Sequence, residues 1–237
     1  MRAVPLLAGT SVAAGVGWAL PALAPLLPRV AGALGLPRRL DLPGAVAVTF
    51  DDGPHPRGTP AVLEALREQG ATATFFCVGE QVRRTGSLLA EVVAAGHAVA
   101  IHGDRHRLLL RRSPGAVRDD LDRAAETIGA VAGDALLPVH RAPYGIYAHP
   151  AIADLRRRGW RPLLWSRWGH DWRGDATAAS IAAEVSRDLT AGDVLLLHDA
   201  DDYSDPGSWR ATAAALPRVL ERIAAAGLVT APVPAAG

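Results

Sequence analysis

The stretch Ala45-Val46-Ala47-Val48-Thr49-Phe50-Asp51-Asp52-Gly53-Pro54 runs an apolar string straight into two carboxylates and a Gly-Pro turn. A short apolar run bounded by turn residues predicts a strand covered on both faces, as in a parallel sheet packed between helices. The same layout recurs at residues 71–78, 97–102, 136–140, 161–165, 194–198 and 228–233. Between these runs the spacing turns helical. Residues 60–69 put Val62, Leu63 and Leu66 on one face, and residues 87–95 stop at Gly96. Longer helices are predicted over 114–131 and 208–226, the second stopping at Gly227. Six or seven such βα units predict one α/β domain, a barrel or a doubly wound sheet. The polar residues gather where the strands end: Asp51 and Asp52, then His102, Arg141 and His198. In both architectures that rim carries the site.

Composition sets the outer bounds. Of 237 residues, 49% are hydrophobic and 21% charged, which excludes disorder as the overall state. A net charge of +1 supplies no global field to recruit nucleic acid, and no nucleic-acid partner is expected. All 25 basic residues are Arg, with no Lys anywhere. A single cysteine, Cys77, excludes an intramolecular disulfide framework and any Cys-based zinc cluster. It reads as buried packing behind its strand. A metal here needs His and carboxylate ligands.

Read alone, each polar cluster also has an ordinary structural meaning. Asp51-Asp52-Gly53-Pro54 is an acceptable exposed turn, and His102 and His106 are an unremarkable pair of histidines. Together they form a set. Asp52, His102 and His106 supply a His₂-carboxylate triad, which leaves a coordination position open for water. A divalent ion lowers that water's pKa towards about 7, so the combination reads as metal-assisted hydrolysis. Asp51 is then the spare carboxylate that takes the proton. His198, at the end of an apolar strand, suits the general acid, with Asp171 to orient its ring and raise its pKa. Arg141 is placed to pair with Asp51, or else is a solvated Arg before a proline turn. Trp165, Trp168, Trp172 and Trp209 offer faces that suit sugar rings, some of them as core.

The N-terminus is a separate problem. From Ala3 to Pro28 there are 26 residues without a charge, bracketed by Arg2 and Arg29. A fully helical stretch of that length would span a hydrocarbon core of about 30 Å. Pro21, Pro25 and Pro28 break the last third, however. A secretory signal with Ala22-Leu23-Ala24 as its small-residue site competes with an uncleaved anchor, and so does an apolar segment packed on the domain. Flanking arginines on both sides leave the orientation open. We expect residues 1–43 to be an anchor- or signal-like segment with a short linker at 37–43, and residues 44–237 to be one domain.

Five motifs in this order resemble the carbohydrate esterase family 4 polysaccharide deacetylases, the nodulation-protein-B homology domain, over residues 46–233. Thr49 to Pro54 is similar to T-F-D-D-G with its trailing Pro, and His102 to His106 to H-[ST]-x-x-H except at Gly103. Arg141-Ala142-Pro143-Tyr144 matches R-x-P-Y, Asp171-Trp172 the end of D-x-x-D-W, and Leu196-Leu197-His198 matches L-x-H. The resemblance implies a distorted (β/α)7 barrel that removes acetyl groups from N- or O-acetylated sugars. It implies Asp51 as base, and Asp52, His102 and His106 as ligands of a divalent ion, usually Zn2+, with Co2+, Ni2+ or Fe2+ as alternatives. The Tyr144 N–H would serve the oxyanion beside Pro143 and Trp172. His198 would be the acid, and Arg141 and Asp171 would orient Asp51 and His198. Two positions depart from the pattern: Gly103 lacks the usual hydroxyl, and Trp168 stands where the first Asp of D-x-x-D-W is expected.

The expected partner is an acetylated glycan of the cell envelope, and the expected location is the extracytoplasmic face, membrane-anchored or secreted. Two other readings compete. A carbohydrate-binding protein on a retired barrel has no need of a complete base, ligand and acid set. An aspartyl phosphatase places its two Asp at i and i+2 and leaves both histidines without work.

Overall fold

The computed structural model describes residues 20–235. Eight strands form one sheet: β1 (Ala45–Asp51), β2 (Thr74–Cys77), β3 (Ala98–Ile101), β4 (Leu136–His140), β5 (Arg161–Pro162), β6 (Arg167–Trp168), β7 (Val194–His198) and β8 (Val229–Thr230). Their order is β5-β4-β3-β2-β1-β7-β6, with β8 beside the start of β1. Every pairing between them is parallel. The connecting helices are α1 (Pro28–Ala33), α2 (Gly58–Glu68), α3 (Gly79–Thr85), α4 (Leu88–Ala94), α5 (Pro114–Ala132), α6 (His149–Arg157), α7 (Ala178–Val185) and α8 (Trp209–Ala225). This is the distorted (β/α)7 barrel that the motifs imply.

The two-residue alternation of the strands decides what faces the inside. Along β1, Val46, Val48 and Phe50 join a core shared with α2, α4, α5, α7 and α8, while Ala47 belongs to a second core. Along β7, Leu195 and Leu197 face the helices, and Val194 and Leu196 face the second core. Thr49 and Asp51 on β1 and His198 on β7 therefore follow the inner face. The register sets Asp51 directly beside His198.

Of the run at 161–165, expected as one strand, only Arg161–Pro162 is strand, and a second short strand follows at Arg167–Trp168. Residues 161–162 pair with β4, and residues 167–168 pair with β7, so the four residues between them bridge the two edges of the curled sheet. Their carbonyls have no strand partner and take side chains instead. Arg141 donates to the oxygens of Leu163 and Leu164, and Arg38 to that of Trp165. Helices α3, α6 and α7 went unpredicted, although α6 has a clear apolar face of Ala151, Ile152 and Leu155. The reciprocal cap of Thr177 and Ser180 at α7 is a signal that the sequence does contain.

Of the expected anchor, residues 1–19 lie outside the described residues. Residues from Leu20 onward lie on the barrel. A short 3₁₀ turn (Leu20–Leu23) and α1 bury Pro21, Ala24 and Ala31, and Leu36 follows, in the core that holds Val139, Leu155 and Trp165. The stretch 37–43, expected as a linker, is strapped down. Arg39 pairs with the buried Asp193 at 2.5 Å, and the Leu40 N–H donates to Gly192 at 2.9 Å. Its prolines signal a loop, but the long-range partners that hold it are invisible to local composition. Among the described residues, no helix is long and apolar enough to cross a membrane.

Candidate active site

One cavity of about 320 Å³ opens at the C-terminal ends of the strands. Asp51, Asp52, His102, His106, Tyr144, Trp172 and His198 all line it, together with Trp165, Trp168, Leu196 and Tyr203. Arg141 and Asp171 are wholly buried behind this wall, and Pro143 is buried beside Tyr144.

Neighbouring side chains in a strand point to opposite faces. Asp52 leaves the strand with φ +79°, a conformation that L-residues rarely hold, and both carboxylates thereby reach the same cavity. Oδ1 of Asp52 lies 3.3 Å from Nε2 of His102 and 3.3 Å from Nε2 of His106. It is buried and accepts no hydrogen bond. An isolated buried carboxylate oxygen is costly, and two imidazole nitrogens converging on it describe a cation site. His102 fixes its own tautomer: Nδ1 donates to the Arg141 carbonyl at 2.9 Å, which leaves the Nε2 lone pair free. The three residues therefore fit a divalent ion. Burial and the nearby imidazoles of His102 and His198 push His106 down to about 4, so its lone pair is available at neutral pH. Burial alone would raise Asp52, but the His102, His198 and His106 imidazoles outweigh it and hold Asp52 well below the usual carboxylate range.

The loop that carries the two histidines is braced from two sides. The N–H groups of Gly79 and Glu80, which have no partner within α3, donate to the carbonyls of Gly103 and Asp104. Buried Asp104 pairs with Arg83 at 2.6 Å, and its N–H donates to Asp120 at 2.9 Å. Gly103 sits at φ +107°, and a Cβ there would stand 3.1 Å from the Asp120 carboxylate. The missing hydroxyl is thus replaced by a turn that favours glycine and by an acid from α5.

On the opposite wall, Asp51 gives Oδ1 to Arg141 at 2.6 Å, while Oδ2 lies 3.9 Å from Nδ1 of His102. Nδ1 of His198 meets Asp171 Oδ1 at 2.8 Å. The other oxygen of Asp171 accepts from the His198 N–H at 2.7 Å and the Thr212 hydroxyl at 2.8 Å. Burial opposes a charge on His198, but Asp171 first, then Asp52 and Asp51, push it up to about 10. The missing first Asp of the tryptophan motif therefore costs His198 nothing in partners. Trp168 stacks on Trp172 at 4.7 Å and packs against Trp165 at 5.2 Å, continuing an aromatic wall.

Tyr144 lies in a tight turn at φ +60°, and its N–H takes no partner in that turn. Gly145 follows at φ +68°, where a Cβ would meet the Trp165 ring at 2.4 Å, so only glycine fits. Trp209, a candidate for the groove, is elsewhere: it packs on His55 and under Arg210 at the start of α8. Sequence reading missed Gly145, Ser204 and Tyr203 in the cavity lining, the last an aromatic within the acidic loop Asp199-Ala200-Asp201-Asp202-Tyr203. A second cluster, His55 with Asp201 and Asp202, has ligand-like spacing. There Nδ1 of His55 accepts from the Gly58 N–H at 2.9 Å. Its proton therefore sits on Nε2, facing Asp201 at 3.0 Å. His55 thus has no nitrogen lone pair to offer a metal, and the cluster is a hydrogen-bonded clamp.

A parallel barrel with two histidines and a carboxylate converging at its strand ends has the donor set that metal-assisted barrel hydrolases use. Comparison with known proteins narrows this: residues 41–163 match the Polysaccharide deacetylase family, and the chain belongs to that family. It is 32% identical over 196 residues to a chitooligosaccharide deacetylase of Azorhizobium caulinodans, covering 80% of this chain and 93% of that one. It is 33% identical over 181 residues to a peptidoglycan-N-acetylglucosamine deacetylase of Bacillus cereus, covering 75% and 81%. Among solved structures, it is similar to a family 4 carbohydrate esterase from Streptomyces lividans in complex with acetate. There the TM-score is 0.72 and the identity 29%, over 82% of this chain and 95% of that one.

Proposed function

We propose that this protein is a metal-dependent hydrolase that removes acetyl groups from the N-acetylated sugars of a cell-envelope glycan and releases acetate. The observation that carries the reading is the juxtaposition of an orphaned Asp52 oxygen, two imidazole nitrogens at 3.3 Å, a separate carboxylate and a separately anchored histidine in one cavity. Family membership and the names of its relatives, deacetylases of chitooligosaccharides and peptidoglycan N-acetylglucosamine, support the substrate class.

Asp52, His102 and His106 would hold the ion, for which Zn2+ is our first assignment. When bound, such an ion supplies positive charge that polarises the acetyl carbonyl and acidifies water. The rest falls to the chain itself. Arg141 occupies Oδ1 of Asp51, so Oδ2 receives the proton of the attacking water. The Tyr144 N–H donates to the carbonyl oxygen as negative charge develops there. His198 is held through Nδ1 by Asp171, so Nε2 delivers its proton to the leaving sugar amine. Trp172 and Leu196 give the acetyl methyl an apolar wall.

The Asp51→Asn variant tests this division of labour. It should keep one divalent ion per chain and lose turnover by about 10³-fold, the scale of general-base removal. Full turnover with the ion retained would refute the role of Asp51.

A further inference from the structure

Of the seven exposed large apolar side chains among the described residues, five gather in one place, Val131 and Val229 standing apart from them and from each other. Leu20, Leu23, Leu26 and Leu27 lie on the outer side of residues 20–27, whose inner side buries Pro21 and Ala24. Tyr144, 55% exposed, stands at the cavity. The two groups adjoin. Cγ of Pro25 lies 3.2 Å from where a Cβ of Gly145 would be, and Gly145 lines the cavity. Scattered leucines on a surface are ordinary, whereas leucines gathered beside a cavity mouth mark an interaction surface.

The charge pattern says what that surface meets. No acidic residue occurs before Asp41, residues 3–28 carry no charge, and Arg29 follows at once. An uncharged apolar stretch edged by arginine suits a bilayer with anionic headgroups. We propose that the Leu20–Leu23–Leu26–Leu27 surface docks on the lipid bilayer and holds the cavity mouth against it. The acetylated sugar it takes is then one carried at the membrane surface. Only the nature of that substrate rests on the deacetylase reading; the docking surface stands without it.

The test uses the full chain with vesicles of phosphatidylcholine and phosphatidylglycerol. A fluorophore on Tyr144→Cys should be quenched by headgroup-labelled nitroxide lipid. The L23S/L26S/L27S variant changes only exposed side chains, and in it that quenching should disappear. The variant should also lose about tenfold or more of turnover on a vesicle-borne acetylated glycolipid, an effective-concentration effect, while keeping turnover of a soluble N-acetylated oligomer. No quenching in the parent, or equal quenching in the variant, would overturn the proposal. Quenching that follows protein density with no nitroxide lipid present would assign the surface to a second copy of the chain, and also overturn it. Absent turnover of both substrates by the parent would count against the deacetylase reading alone, since the quenching still judges the surface.

A separate observation concerns His106. His102 is aimed by a hydrogen bond through Nδ1, whereas Nδ1 of His106 finds no partner on another residue. Its ring lies instead flat against Tyr203, with centroids 4.2 Å apart and planes within 13°, and edge-on to Tyr144 at 4.5 Å. Tyr203 is itself pinned: its hydroxyl donates to Glu80 and accepts from Gln81. We infer that Tyr203 is a positioning residue that aims Nε2 of His106 by stacking, in place of the usual hydrogen bond. Titration of chelated protein with Co2+ tests this. Tyr203→Leu should weaken Co2+ binding by about 10–100-fold and alter its visible absorption band, while Tyr203→Phe, which keeps the ring but not its two hydroxyl bonds, recovers most of both. Parental affinity and spectrum in Tyr203→Leu, or a Tyr203→Phe variant as impaired as Leu, would overturn it.

Discussion

Asp51 and Asp52 are chemically identical neighbours, and their surroundings give them different work. Arg141 claims one oxygen of Asp51, while two imidazoles converge on Asp52. The same logic governs His198, whose ring would lose its proton on burial were Asp171 not beside it. Replacing Asp171 with Asn removes the carboxylate that holds His198 up at about 10, so its pKa must fall. Since the acid works protonated, the alkaline limb of the kcat/KM profile should move to lower pH in Asp171→Asn, as a pH–rate series would show. An unmoved limb would mean that His198 is not the titrating acid. Asp51, Asp52, Arg141 and His198 were legible in the sequence because each ends or directly follows an apolar strand, and Asp171 because it stands in the Asp-Trp motif. Tyr203 was not, because its role comes from α3, far away in the chain and tied to it only by hydrogen bonds.

The elements show the same divide between local and long-range information. The strands β1 and β7 were readable from short apolar runs, and their register delivers Asp51 and His198 side by side. The seam between β4 and β7 was not readable, because it is closed by residues 163–166 and by one side chain rather than by a strand. Arg141, fully buried, bonds Thr49, Asp51 and the carbonyls of Leu163 and Leu164, with the Phe76 ring 4.0 Å from its guanidinium. Arg141→Ala would leave a buried carboxylate and two carbonyls without partners. It should cost about 3–5 kcal/mol of stability in urea unfolding, on the scale of breaking a buried ion pair. A loss well under 1 kcal/mol would show that the seam closes without it.

For the whole molecule, the boundary at residue 43 follows composition, whereas the packing runs on to Leu20. Ala24, Ala31 and Leu36 fill the inner core, and Arg39 and Leu40 tie the strap to Asp193 and Gly192. A chain beginning at residue 44 should therefore melt at least about 5 °C below one beginning at residue 20, measured by circular dichroism. Equal melting temperatures would show that the segment adds no stability. Sequence reading separated the two parts because prolines and an uncharged run look like a linker and an anchor, and burial against distant strands leaves no local trace.

The central claim is that the cavity built around Asp52, His102 and His106 hydrolyses acetyl groups from sugars. Acetate release from N-acetylglucosamine oligomers and peptidoglycan, before and after chelation, tests it most directly. We expect release with one free amine per acetate from metal-loaded protein, its loss on chelation, and its return when Zn2+ or Co2+ is restored. Release that survives chelation, or none from any acetylated glycan by a chain that holds its ion, would contradict the account.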